Sequence, residues 1–270
     1  MLINGQVGQS ISIRDRGLLY GDGVFRTLRA QHGIALHQDL HLQKIQQDCA
    51  KLGIHCPALS HLEHELAGLL VQHPNAIIKL IITRGIAERG YAAKADASPT
   101  YLWDVSDLPV YPAQNYTLGI ALRICELRLS QQAQLAGIKH LNRLENVLAA
   151  SEPHAEKFAE GLLLDAQGSV IEGIRSNVFV VQSGVLLTPD LTQCGVAGVQ
   201  RDRVITYAAQ HAISLQIRAI SLAELLVADE VFLVNSVLGL WSVRECANRT
   251  WHDFAMAQKL AGLFEQERVL

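Results

Sequence analysis

Lys139 stands in LAGIKHLNRLENVLA, after an Ala136-Gly137 pair that reads as a loop and before an amphipathic helix beginning near Asn142. A lysine at such a junction can face a cleft while its chain neighbours anchor it in the core. It is equally the place for an ordinary solvated lysine, and spacing alone does not separate the two. As a Schiff-base former it needs partial burial and nearby cations that favour the neutral amine. Glu172, in SVIEGIRSNVFVV, follows a turn at Ala166 to Ser169 and has strongly strand-forming neighbours. A carboxylate at the end of a buried strand needs a partner. That partner is either an arginine such as Arg175 or a pyridinium N–H, which a carboxylate keeps protonated so that the ring withdraws electrons from a carbanion. The segment Gly195-Val196-Ala197-Gly198-Val199 precedes a helix, whose free N–H groups and dipole make an anion site. Asn235-Ser236, after DEVFLV, adds hydroxyl and backbone donors. Taken singly, the last two segments read as well as plain turns.

The elements that must position these residues follow from periodicity and turn residues. The start reads as a hairpin, with Leu2-Ile3, an Asn4-Gly5 turn and alternation from Ser10 to Ile13. Helical spacing from Asp39 to Leu52 ends at Gly53, and a second helix covers about Leu59 to Val71. AIIKLIIT (76–83) and Thr100 to Ser106 read as strands. DLPVYPAQNY (107–116) carries two prolines and is the best linker, so the chain divides into a smaller α/β lobe at 1–110, a linker at 111–116 and a larger lobe at 117–270. In that larger lobe Thr117 to Ile124 reads as a strand, and Leu141 to about Phe158 as mostly helical with an interruption near Pro153. Close strands GLLLD, VIEG and NVFVV follow, then a helix at Val199 to His211, a strand at Leu215 to Ile217, a helix at Leu222 to Val227 and a strand at Glu230 to Asn235. Strands and helices in this irregular order predict α+β layers rather than a repeating barrel.

Bulk properties exclude several classes of function. At 270 residues, with 49% hydrophobic and 18% charged residues, the chain suits a packed two-lobed protein. A net charge of −3, without a run of basic residues, argues against nucleic acid and anionic membranes as partners. The start lacks a basic-then-apolar leader, and no stretch has the ~20 apolar residues of a membrane span. Five scattered cysteines (Cys49, Cys56, Cys125, Cys194, Cys246) fit reduced thiols in a cytoplasm, and neither they nor the eleven histidines have the spacing of a metal site. His37, His41, His61 and His64 read as surface or packing residues.

Taken together, IRDRGLLYGDGVF (13–25), HLQKI (41–45), GIKHLNRLENVLA (137–149), VIEGIRSNVFVV (170–181), GVAGVQR (195–201) and Asn235-Ser236 resemble, in that order, the fold-type IV pyridoxal 5′-phosphate (PLP) enzymes. That group holds branched-chain aminotransferases, D-amino acid aminotransferases and aminodeoxychorismate lyases, and the resemblance spans nearly the whole chain. It implies a two-lobed α+β fold with the cofactor in a cleft between the lobes, and a homodimer. Lys139 would be the Schiff-base lysine and proton shuttle, and Glu172 the partner of the pyridine nitrogen. Lys44 would stand where relatives use an arginine for the phosphate, keeping the charge without the bidentate fork. Val199, Gln200, Asn235 and Ser236 would supply further phosphate contacts. Arg26 departs from the glutamate that many relatives have after the VF pair.

LNRLENVLA, together with TRG (83–85) and RGY (89–91), resembles the lyases more than either aminotransferase. The activity implied is conversion of 4-amino-4-deoxychorismate to 4-aminobenzoate and pyruvate, a step of folate synthesis. Because that substrate is a dicarboxylate, Arg84, Arg89 and Tyr91 are candidate substrate contacts. Two other readings stand beside it: an aminotransferase using the same core residues, and a non-catalytic ligand-binding or interaction protein on this fold. Retention of both Lys139 and Glu172 argues against the last.

Overall fold

The computed structural model describes residues 1–93 and 97–266. Two units emerge: one comprises residues 1–109 together with Lys139–Asn142, the other Val110–Ile138 and the chain from Arg143 onward. Each combines helices with its own sheet, which is the α+β arrangement expected.

The first unit contains β1 (Leu2–Ile3), β2 (Gln6–Val7), α1 (Arg16–Tyr20), β3 (Gly23–Gln31), β4 (Ile34–Ala35), α2 (Gln38–Leu52), α3 (Leu59–Gln72), β5 (Ala76–Thr83) and β6 (Thr100–Ser106). Its six-stranded antiparallel sheet has the order β2-β1-β6-β5-β3-β4. AIIKLIIT forms the inner strand β5, flanked by β3 and β6. Along β3, Val24, Arg26, Leu28 and Ala30 are all buried and, with the strand period of two, share one face. Helix α2 packs on β3 and buries Leu42, Ile45 and Cys49. It ends where Gly53 adopts the left-handed conformation at φ 63°, as the glycine after a helical run suggested.

The second unit holds α4 (Gln114–Thr117), β7 (Ile120–Leu129), α5 (Leu144–Ala150), β8 (Phe158–Asp165), β9 (Val170–Gly173), β10 (Asn177–Gln182), β11 (Val185–Pro189), α6 (Val199–Gln210), β12 (Leu215–Arg218), α7 (Leu222–Val227), β13 (Glu230–Asn235), β14 (Gly239–Cys246), β15 (Arg249–Thr250) and α8 (Ala255–Gln266). Its sheet runs β12-β11-β10-β13-β14-β7-β8-β9, with β15 hydrogen-bonded to β14. The central strands β10 and β13 are apolar on both faces because both are covered. On one face Phe179 and Phe232 stack at 5.2 Å beneath Val204 and Tyr207 of α6 and Leu260 of α8. On the other, Val178, Val180 and Leu233 join the core around Trp241.

Three expectations about local structure are corrected. Ser10 to Ile13 is not a strand: the Ser12 hydroxyl takes the Arg14 N–H and its carbonyl takes the Asp15 N–H, making a turn that leads into α1. Thr117 closes α4, and the strand begins at Ile120 after Gly119 turns the chain at φ 77°. Between Leu141 and Phe158 the helix covers Leu144–Ala150: it starts late because residues 139–141 are drawn into extended pairing with β3, and it ends before Pro153.

Candidate active site

Residues 132–138 lie along residues 193–197 of their own unit: the Gly137 N–H donates to Gly195 O at 2.9 Å and the Ala197 N–H to Gly137 O at 3.1 Å. The chain then passes to the other unit for four residues. The Lys139 carbonyl accepts the Phe25 N–H at 3.0 Å, the Leu141 N–H donates to Gly23 O at 2.9 Å, and His140 bridges Val24. Gly23 is required for this approach, since a Cβ there would lie 2.7 Å from both Ile82 O and the Leu141 side chain. Lys139 is thus tied by its backbone, and its side chain is half-buried. Its ammonium lies 4.6 Å from the centre of the Phe25 ring, and Lys79 approaches the same ring at 4.9 Å.

Helix α2 brings His41, Lys44 and Asp48 to one stripe, three and four residues apart. Asp48 forms a buried ion pair with Arg26, and its Oδ2 also accepts the Lys139 backbone N–H at 3.2 Å. His41 is buried, and neither ring nitrogen has a hydrogen-bond partner among the described residues. Burial first, then the positive charges of Arg26, His37, Lys139 and Lys44, push its pKa down to about 3. Lys44 and Lys139 are therefore brought close enough to one imidazole for both charges to act on it.

His41 should make the fold acid-sensitive. The unfolded chain takes up this proton near the ordinary value of 6.5 and the folded chain near 3, so stability falls as pH drops between them, by about 1.4 kcal/mol per unit. In the His41→Leu protein the loss of unfolding free energy between pH 7 and pH 5 shrinks by about 2 kcal/mol. Urea denaturation at the two pH values measures it, and an unchanged difference would exclude a neutral buried imidazole.

Glu172, on β9, is 4% exposed. Its Oε2 accepts the Val196 N–H at 2.8 Å, and its negative charge is felt by Arg143 and Arg201. Arg175 is not its partner: that guanidinium pairs with Glu160 at 3.2 Å, while Ser176 Oγ donates to the same carboxylate. The turn that reaches Glu172 depends on Gly195, which has φ 84° and whose Cβ would meet Ile171 at 2.7 Å and Leu191 at 2.8 Å. Gly195→Ala is expected to cost about 2–3 kcal/mol in unfolding free energy, from left-handed strain plus overpacking, and to loosen the Glu172–Val196 bond. A thermal midpoint within one degree or so of the parent would contradict that.

Just beyond, Gly198 caps α6 without a side-chain bond, so the first N–H groups of the helix, including Val199 and Gln200, have no partner within the helix. The Gln200 side chain is engaged with Arg203 at 2.8 Å, leaving its backbone for any anion. Asn235 is occupied too: its amide donates to Arg175 O at 2.9 Å and its oxygen accepts the N–H groups of Val237 and Leu238, each at 2.8 Å. This organises the turn holding Ser236, which is half-buried.

Of the three candidate substrate contacts, Arg84 is committed to the first unit. Four of its N–H groups serve Asp22 (2.8 and 3.0 Å), Leu52 O (2.8 Å) and Gly53 O (2.6 Å), which satisfies the last carbonyls of α2. Arg16 binds the same Asp22 and donates to Gly90 O and Tyr91 O. Burial would raise the Asp22 carboxyl, but hydrogen bonds and charge from Arg84 and Arg16 outweigh it and hold it below the ordinary range. Arg89 is exposed, and Tyr91 is 86% exposed with its ring 5.4 Å from Tyr20.

Arg26, Asp48 and His41 form a cluster around Lys139 that sequence reasoning did not assemble. The signal was present for Asp48 and His41, which share with Lys44 the 3.6-residue period of α2. For Arg26 it was the presence of a charge among Val24, Leu28 and Ala30 on a strand.

Known proteins bear on these residues. The family described as amino-transferase class IV matches residues 23–246. The chain is 34% identical to the aminodeoxychorismate lyase of Vibrio harveyi over 238 residues, 88% of each chain. It is 28% identical to the D-alanine aminotransferase of Bacillus licheniformis over 250 residues, 87% of this chain and 84% of that one. The crystal structure of 4-amino-4-deoxychorismate lyase from Pseudomonas aeruginosa superposes with a TM-score of 0.95 at 41% identity, covering 98% of both chains.

Proposed function

The chain belongs to the class IV aminotransferase family, and on that premise we propose that it is a PLP-dependent lyase converting 4-amino-4-deoxychorismate to 4-aminobenzoate and pyruvate. The observation that carries the reading is the 41% identity, across 98% of both chains, to a structure of that lyase.

The residues present fit the cofactor. A buried carboxylate that accepts the Val196 N–H suits a protonated ring nitrogen, and a helix start whose first N–H groups have no partner within the helix suits a phosphate. Glu172 would hold the proton on the ring nitrogen. The backbone N–H groups of Val199 and Gln200, with Ser236 and the backbone at Asn235, would bind the phosphate, and Lys44 would add a positive charge for it. Bound PLP supplies an electron sink for charge developing on the substrate carbon next to the amine.

The protein's own chemistry centres on Lys139. Its amine would hold the cofactor, and when free, Nζ would take the proton from the substrate carbon that bears the amine. The electron pair left behind expels the enolpyruvyl oxygen, the six-membered ring becomes aromatic, and a proton delivered by Nζ to the leaving enol completes pyruvate. Arg89 and Tyr91 are the exposed candidates for the substrate's carboxylates, whereas the donors of Arg84 are better accounted for by α2 and Asp22.

Two further assignments go with this reading. Leu144, Val147 and Leu148, on one face of α5, are each more than half exposed and would be covered in a homodimer. Five free cysteines fit a reducing cytoplasm.

Aminotransferase activity is the second reading, favoured by the relationship to D-alanine aminotransferase. Incubating purified protein with PLP and 4-amino-4-deoxychorismate, with pyruvate followed by a coupled dehydrogenase, tests the first. Turnover of an amino acid dependent on 2-oxoglutarate, with no pyruvate from 4-amino-4-deoxychorismate, would replace it by the second.

A further inference from the structure

We infer that the buried Arg26–Asp48 ion pair is a positioning device for Lys139, in which Asp48 fixes the backbone of the reactive residue and Arg26 cancels the charge that Asp48 would otherwise impose on its amine. The inference rests on the reading of Lys139 as the reactive lysine.

Asp48 Oδ2 is shared between the Arg26 guanidinium and the Lys139 backbone N–H. On its other side, the Lys139 carbonyl accepts from Phe25, the residue that precedes Arg26. The peptide of the lysine is therefore held from α2 through Asp48 and from β3 through Phe25. Both members of the pair are almost fully buried, at 2% and 3% exposure of their side chains. An apolar pair of similar volume would serve the core at least as well, because desolvating two charges offsets much of their attraction. Stability alone thus gives no reason for charge at this place in β3.

A reactive amine supplies one. A lone carboxylate beside Lys139 would favour the ammonium form, which is neither nucleophile nor base. A lone arginine would do the opposite. Paired, they let a carboxylate anchor the backbone while leaving the amine's protonation to its other neighbours. Those neighbours include His41 of α2, which feels the Lys139 charge, and Lys79 of β5, which approaches the same Phe25 ring. His41 is neutral over the working pH range, so it adds no charge of its own.

The two halves of the pair must then act with opposite sign, which distinguishes them from a merely structural contact. In full-length protein freed of PLP, the rate at which an amine-acylating reagent labels Lys139 is followed against pH by peptide mass spectrometry. With PLP added, the pH midpoint of its visible absorption band provides a second readout. Asp48→Asn keeps an acceptor for the Lys139 N–H but leaves Arg26 uncompensated, and both midpoints move down by about 0.5–1 pH unit. Arg26→Met leaves Asp48 uncompensated, and both move up by a similar amount. Arg26→Lys restores the parent midpoints to within about 0.2 unit, because the charge is kept.

If Arg26→Met fails to fold, the double variant R26M/D48N set against Asp48→Asn isolates the arginine, and its midpoints return upward. Shifts of the same sign in the two single variants, or shifts below about 0.2 unit in cooperatively folded protein, overturn the inference. Labelling midpoints that move as stated in a protein that takes up no PLP would support the electrostatic coupling and sink the proposed function. Pyruvate formation with unmoved midpoints would do the reverse.

Discussion

In the Lys139→Ala protein, pyruvate release from 4-amino-4-deoxychorismate is expected to fall by about 10⁴-fold or more. A positioned general base alone contributes roughly 10²–10⁴, and the same amine is also the cofactor's covalent anchor, so the two losses combine. The fold should survive, because what ties residue 139 into place is its backbone: the N–H to Asp48 and the carbonyl to the Phe25 N–H, both of which alanine retains. The loss includes a cation over the Phe25 ring, worth about 0.5–1 kcal/mol at a partly exposed site. A thermal midpoint near that of the parent, with no PLP mass fixed at position 139 after borohydride treatment, completes the expected result. More than about 1% residual pyruvate release would move the base to another residue.

Glu172→Gln is the second large effect. Glutamine can still accept the Val196 N–H through its amide oxygen, so the turn at residues 195–198 keeps its anchor. The negative charge disappears, and with it the reason for the ring nitrogen to stay protonated as electrons move into the ring. Removing one preorganised electrostatic partner of a transition state costs about 10²–10³ in kcat, with KM changed far less. Steady-state kinetics on protein shown to bind PLP at the parent level decides this. An unchanged kcat would reduce Glu172 to a structural cap of the Gly195 turn.

How much of the site was legible varies with how local its determinants are. Glu172 could be found because strand-forming residues on both sides force it inward, and an inward carboxylate needs company. Which company was not legible: Arg175, three residues on, was the obvious partner, yet it reaches Glu160 on β8 because strand pairing sets Glu172 against Leu163 and turns Arg175 outward. Helix α2 was predictable from its apolar spacing and Gly53. Its second stripe, His41, Lys44 and Asp48, is present in the spacing, but polar residues on a helix ordinarily face water, so spacing alone does not mark the stripe as buried. Strand β3 was harder still, since Arg26 interrupts the alternation that would have announced a buried face.

The same limit applies to Arg84. Its TRG setting resembled a substrate-binding loop, but the end of α2 lies within reach of its guanidinium and takes up its donors. Sequence neighbours could not reveal this, as Leu52 and Gly53 are some thirty residues away. Asn235 is a milder case. It is the last residue of β13, as the strand span suggested, but its amide organises the following turn and so cannot also offer that side chain elsewhere.

From the order of residues alone came the α+β class, most strand and helix spans and the inward-facing carboxylate of Glu172, because each depends on short-range periodicity or on a residue type whose chemistry is costly to bury; a role for Lys139 came only from the resemblance to a family. Tertiary structure decided the rest: the four-residue excursion that puts Lys139 beside β3, the buried Arg26–Asp48 pair, and the partners of Glu172, Arg84 and Arg175. All of these join segments tens of residues apart. The free energy of a buried charge is determined by whichever opposite charge or N–H the fold brings within about 3 Å, and that distance is not encoded in any local pattern.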